Sequence, residues 1–260
     1  MMKKKQILVR ADDLGYSKGV NYGIADALEG GIIQSVGVMA NMPEAQKGLE
    51  LIAGKNVCLG LHTNICLGKP LTDPKLIPSL VQENGEFKTS KTYRNSKVDF
   101  VNLEEVMLEI EAQYQRFVQL TGQKPDYLEG HAVMSENFFK GMEIVAKQHD
   151  CDYFSMSLTG AVQFRNSEVA LLLESSKPDY DPKQVLKEIA TRDFGQQIPI
   201  LICHPGYLDD YLIKTSSLLE PRTLEVEMAR DTKLKEELEK SGVEFITYRD
   251  FQHESKWTRR

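Results

Sequence analysis

The sequence predicts an α/β fold built on a largely parallel sheet, and two observations carry that expectation. Short β-branched runs alternate with longer amphipathic stretches, the pattern of βα units. The 260 residues carry no internal repeat, low-complexity linker or break in composition, a length ordinary for one α/β barrel. A single domain spanning residues 1–260 is therefore expected.

Each element has a local reason. Gln6 to Ala11 reads as a first strand, and Ser17 as the N-cap of a helix reaching Glu29, stopped by Gly30-Gly31. Ser35 to Met39 is a second strand, followed by a helix opened by Pro43. Val57 to Leu61 is a third. A segment at about 63–101, with scattered Pro, Gly and Lys, then stands as a long loop, a lid or a substrate wall. Asn102 and Glu105 form an N-x-x-E signature before a helix from Leu103 to Leu120, whose Val106, Ile110, Tyr114, Phe117 and Leu120 recur at three- and four-residue steps. Tyr127 to Gly130 is a strand, Phe138 to Gln148 a helix, and Tyr153 to Met156 a further short strand. Asp181-Pro182 starts a helix and Ile198 to Cys203 is a buried strand. Pro221 opens one long charged helix ending at Ser241-Gly242, before a last strand from Val243 to Thr247.

Composition narrows the function classes. The apolar and charged fractions are those of a soluble globular protein, and the formal net charge is −6 with both signs scattered. No basic stripe points to nucleic acid, and the short apolar run at the N-terminus is neither a membrane span nor a signal-peptide core. Cys58, Cys66, Cys151 and Cys203 form no C-x-x-C pair, which fits free thiols in a reducing compartment. A cytoplasmic location is expected.

The chemistry gathers at strand ends. The first strand ends at Asp12-Asp13, the third at His62, the fourth at His131, and the penultimate one at His204. Catalysis in α/β folds collects at the carboxyl ends of strands, where the following loops converge. A lone histidine is more often structural than a ligand. Three of the five in the chain at equivalent strand ends, beside an acidic pair, point to a site instead. His149 near a helix C-terminus and His253 in a polar tail are read as ordinary. Strand alternation should point Asp12 and Asp13 in different directions, one to a metal and the other to the reacting water. A carboxylate with two imidazoles makes a three-ligand set that leaves positions open for chemistry. There is no G-x-G-x-x-G, Walker or G-x-S-x-G motif, and the stretch from Glu225 to Lys240 reads as a solvated helix face.

These residues bear a resemblance. Ala11-Asp12-Asp13-Leu14-Gly15-Tyr16-Ser17 resembles the opening A-D-D-[FL]-G-x-S motif of the YdjC-like carbohydrate deacetylases, which include the chitooligosaccharide deacetylases. Leu59 to Asn64 with Gly68 to Leu71 is similar to their G-x-H-x-N…G-x-P-L segment. Tyr127 to His131 stands at their strand ending in D-S-H, Cys203 to Tyr207 at their H-P-G-Y, and Tyr248 to Phe251 at their closing stretch. The matches run in order over nearly the whole chain. Glu129 and Val133 depart from the family's D-S-H-x-H, which leaves His131 intact but bears on the substrate contacts of that loop, and Arg10 stands where Asn is common.

The resemblance implies an irregular TIM-like barrel, magnesium, and hydrolysis of an N-acetyl group on a small oligosaccharide. Carried over by position, Asp13, His62 and His131 are metal ligands, Asp12 the base and His204 the acid. Asn64 and Arg222 are expected as substrate contacts. Family members are often homodimers. By donor chemistry, two imidazoles and a carboxylate suit zinc at least as well. Two other classes stay open. One is a phosphoesterase on the same frame, with Arg165, Arg192 and Arg222 clamping phosphate; the other is a catalytically silent sugar-binding protein.

Overall fold

The computed structural model describes residues 4–155 and 162–252. Its strands are β1 (Lys5–Leu14), β2 (Ser35–Val38), β3 (Cys58–Thr63), β4 (Tyr127–Gly130), β5 (Phe154–Ser155), β6 (Val162–Phe164), β7 (Ser167–Leu172), β8 (Ile198–Cys203) and β9 (Val243–Ile246). The helices are α1 (Lys18–Ala27), α2 (Ala45–Leu51), α3 (Ser90–Asn95), α4 (Leu103–Thr121), α5 (Glu136–Gln148), α6 (Pro182–Thr191), α7 (Asp210–Thr215), α8 (Glu220–Arg230) and α9 (Thr232–Lys240).

The strands form one curled sheet in the order β4-β3-β2-β1-β8-β7-β6-β5, with β9 added along β1. Pairing is parallel except where β5, β6 and β7 fold back on one another. A bridge from Leu128 to Tyr153, just ahead of β5, brings the two ends of that order together. This is the irregular barrel expected.

The period of two along each strand divides the side chains into two cores. Ile7, Val9, Ala11, Leu61, Leu128, Leu201 and Cys203 face the helices. Leu8, Cys58, Tyr127, Ile200, Ile246 and Tyr248 fill the inside of the curl. Arg10 and Asp12 continue the inward series from Leu8, as His62 does from Cys58 and Glu129 does from Tyr127. Polar residues therefore sit above an apolar floor. Gly60 belongs to the inward series on β3 because a Cβ there would lie 2.2 Å from the Tyr127 ring.

Most helix starts follow their caps. Ser17 accepts the Val20 N–H, and Asn102 accepts those of Glu104 and Glu105. Glu105 does not return a bond to its cap; it accepts the Ser79 N–H and so ties α4 to the preceding segment. That segment, expected as a loop, contains a 3-10 turn (Pro74–Leu76) and α3, and it buries Ile77, Leu80 and Phe87. The single long helix expected after Pro221 is two, α8 and α9. Asp231 leaves helical geometry at ψ 90° and caps α9 by accepting from Lys233 N–H and Leu234 N–H. Met156, expected to end β5, and His253 lie outside the described residues. All four cysteines are buried and unpaired. Among the described residues, no helix is long and apolar enough to cross a membrane.

Candidate metal centre

The site begins with an irregularity in β1. Ala11 pairs with Val36 and Leu14 with Val38, so β1 spends one residue more than β2 between the same two points. That β-bulge falls on Asp12-Asp13, and Asp13 takes φ 78°, left-handed backbone that aspartate tolerates better than most residues. The two side chains diverge, as strand alternation predicts, but the bulge keeps them in one site. The bulge keeps both aspartates beside His62, Asp13 toward the histidine pair and Asp12 toward Arg10 and Glu129.

Asp13, His62 and His131 converge. Asp13 Oδ1 lies 3.2 Å from His62 Nε2 and 3.1 Å from His131 Nδ1, and the two nitrogens are 2.9 Å apart. Asp13 Oδ1 is buried without a well-aligned hydrogen bond, although both rings stand next to it. Ligands bound at about 2.1 Å and at right angles to each other stand about 3 Å apart, so three donors with these edges fit one divalent cation. The other carboxylate oxygen, Asp13 Oδ2, accepts from Arg222 Nη2 at 2.8 Å. Burial alone would push the Asp13 carboxyl up, but the charges of His131 and Arg222 hold it well below the usual carboxylate range. Burial pushes the His131 imidazole down, and Asp13 overrules this to bring it to about 9. The cluster thus retains a proton that a bound cation would displace.

A second tier of buried charge orients the first. His62 Nδ1 bonds Glu129, which leaves Nε2 to face Asp13 and His131. A carboxylate behind a ligating histidine is the usual way to fix the tautomer and ring angle. Burial pushes Glu129 up, yet Arg10 and His62 hold it below its ordinary value. Arg10 donates to Asp12 Oδ2 at 2.7 Å, to Glu129 Oε2 at 3.3 Å and to the Tyr248 hydroxyl at 3.0 Å. Gly37 makes room for this tier, since a Cβ there would meet Asp12 Oδ1 and Glu129 Oε1 at 3.0 Å. Two of the three departing residues, Arg10 and Glu129, are thus partners of one another.

His204 follows β8 and its Nδ1 is buried without a hydrogen-bond partner. Burial brings its imidazole down to about 4, so the ring is neutral at neutral pH. Asn64 is buried, and its side chain is spent on the protein: Nδ2 donates to Leu67 O and Asn41 Oδ1, and Oδ1 accepts the Cys66 N–H. It shapes the turn after β3. The three arginines considered for a phosphate share no partner. Arg222 reaches Asp13, Arg165 holds Asp152 and the Phe251 carbonyl, and Arg192 lies over the Phe194 ring.

The charged stretch from Glu225 to Lys240 predicts a solvated face, yet the structure buries Glu225 completely against the His204 backbone. Its position three residues after Arg222 was the available signal. A cleft of ≈ 690 Å³ opens beside the centre, lined by Tyr16, Lys18, Met42, Lys69 and Tyr211 among others. Tyr16 joins the two, with its ring 6.4 Å from that of His131 and 5.9 Å from that of Tyr211.

The sequence profile of the YdjC-like proteins matches residues 6–240. The chain belongs to the YdjC-like family. This YdjC-like chain is 32% identical to a carbohydrate deacetylase of Geobacillus stearothermophilus, over 94% of the chain and 97% of that protein. It is 28% identical to a chitooligosaccharide deacetylase of Escherichia fergusonii, over 95% and 99%. Its fold is similar to a crystal structure described as a putative cellobiose-phosphate cleavage protein from Enterococcus faecalis, with TM-score 0.80 and 24% identity over 95% and 98%.

Proposed function

We propose that this chain is a divalent-metal-dependent hydrolase that removes N-acetyl groups from oligosaccharides, chitooligosaccharides among them. The convergence of Asp13, His62 and His131 in a triangle with edges of 2.9, 3.1 and 3.2 Å carries the reading, and the names of its relatives support it. These three residues would hold the cation. Magnesium is the ion the family resemblance implies, and zinc suits the same donors. When bound, the cation supplies Lewis acidity to the acetamide carbonyl and to water.

The protein's own residues divide the proton work. Asp12, fixed by Arg10, accepts a proton from the attacking water. His204 is neutral in the resting site, so it first takes up the water's second proton, and that proton and the one held by Asp12 both end on the departing nitrogen. Acetate and a protonated amine leave. The sugar lies in the cleft beside Tyr16, where Tyr211 offers a half-exposed ring and Gly68 and Lys69, from the long segment after β3, form a wall.

The test is acetate release from diacetylchitobiose by the purified protein across a panel of divalent metals. Metal-dependent acetate is the expected outcome, with Asp13→Ala, His62→Ala and His131→Ala folded but unable to retain metal. Sugar binding without acetate under every metal would reduce the chain to a binding protein, and phosphate release from sugar phosphates would make it a phosphoesterase.

A further inference from the structure

Glu225 is buried on α8 and has no part in the proton transfers described above. Its Oε2 accepts the His204 N–H at 2.5 Å, and its Oε1 accepts the Tyr180 hydroxyl at 2.8 Å. One turn earlier on the same helix, Arg222 Nη1 donates to the His204 carbonyl at 3.4 Å while Nη2 reaches Asp13. A spacing of three places both side chains on one helix face. One face of α8 therefore holds both main-chain polar groups of His204. The next turn of chain is pinned too, because Gly206 N–H bonds the Arg222 carbonyl at 3.3 Å.

The His204 ring lacks the support that His62 has. Glu129 fixes the His62 ring through Nδ1, whereas His204 Nδ1 is buried with no hydrogen-bond partner among the described residues. With no side chain to turn it, the ring takes its aim from the backbone that carries it. A reacting geometry tolerates little drift: a misplacement of about 1 Å can cost on the order of 10²-fold in rate.

We infer that Glu225 is a positioning residue for proton delivery, holding the His204 ring on the departing nitrogen through the His204 N–H. This rests on the reading of His204 as the proton donor, and the two can fail separately. A residue needed only for packing would lower stability and depress every activity alike. A positioning residue for this proton slows only substrates whose leaving group needs it.

The experiment uses the full chain loaded with metal, and compares kcat on an N-acetylated chitooligosaccharide with kcat on 4-nitrophenyl acetate, whose leaving group departs unprotonated. Glu225→Leu removes the acceptor and is expected to lose about 10²-fold on the amide, with KM unchanged and the ester rate within a few-fold of wild type. Glu225→Gln is expected to recover most of the amide rate, because its amide oxygen can accept the His204 N–H while its NH2 turns to the Tyr180 oxygen. Glu225→Asp, which shortens the acceptor by one methylene, is expected to repeat the selective loss and serves if the leucine variant fails to fold. Matched losses on amide and ester in the Leu or Asp variants, an unaffected amide rate in both, or a Gln variant as slow as Leu would each overturn the inference. Matched losses in His204→Ala would instead remove His204 as proton donor, and Glu225's role with it.

Discussion

Asp12 and Asp13 are neighbours of one chemical type, and the bulge in β1 gives them different work. Asp13 sits with one oxygen toward two imidazoles and the other on Arg222, so nothing remains of it for accepting a proton from water. Asp12 is held by a buried guanidinium that stays charged. An aspartate so paired can act as a base without wandering to the metal. Asp12→Asn should therefore keep its metal and lose turnover by at least ~10²-fold, the scale of a general base. Asp13→Asn, whose new side chain also tolerates positive φ, should keep its fold and lose its metal. Metal content of the two variants, measured beside their acetate release, decides it. If Asp12→Asn sheds the metal and Asp13→Asn retains it, the roles are exchanged.

At the scale of elements, the strand-end positions made the candidate site legible in the sequence. Three histidines and an acidic pair at strand ends must meet if those strands lie parallel in one sheet, and β1, β3, β4 and β8 do. What stayed hidden has physical reasons. A bulge is one extra residue and leaves no compositional trace. The β6–β7 hairpin lacks a strand signature, since β6 has three residues and β7 reads Ser-Glu-Val-Ala-Leu-Leu, without alternation. Asp231 looked like one more acid in a charged helix, yet its side chain caps α9 and ends the run. The charged neighbours of Glu225 predict a solvated residue, whereas burial belongs to the face of the helix, not to the stretch. The inward series also predicts a sensitive position. A methyl at residue 60 would stand 2.2 Å from the Tyr127 ring, which packs on Tyr248 with centroids 4.0 Å apart and cannot simply swing away. Gly60→Ala should cost about 1–3 kcal/mol, the usual range for overpacking. It should also weaken metal retention, since Tyr127 lies two residues before Glu129, which orients His62, on the same strand. Denaturant unfolding checks the first and metal titration the second; a midpoint equal to wild type would mean that Tyr127 yields.

For the molecule as a whole, the buried charges bias stability against pH in opposite directions. Asp13 is held below its ordinary value, so its contribution is present above the ordinary carboxylate range and lost as pH falls through its lowered folded value. Glu225 behaves in reverse. Burial pushes it from 4.5 to about 7, against the hydrogen bonds from His204 and Tyr180 and the charge of Arg222, which pull it down. A carboxyl raised on folding favours the protonated protein: its contribution is full below about 4.5 and disappears as pH rises through about 7. At about 1.4 kcal/mol per unit, a shift of this size amounts to roughly 3 kcal/mol. The two windows hardly overlap, so one substitution isolates the second. Glu225→Gln fills the same space with a group that never ionises. Relative to wild type it should be more favourable at pH 8 than at pH 5, by up to ~3 kcal/mol. Any contribution from His131, raised to about 9, is common to both proteins and cancels in the comparison. Urea unfolding of wild type and Glu225→Gln at the two pH values, with chelator present in all four samples, measures the difference. An identical gap at both pH values would place Glu225 at its ordinary pKa and remove the buried carboxyl from the pH response of the fold.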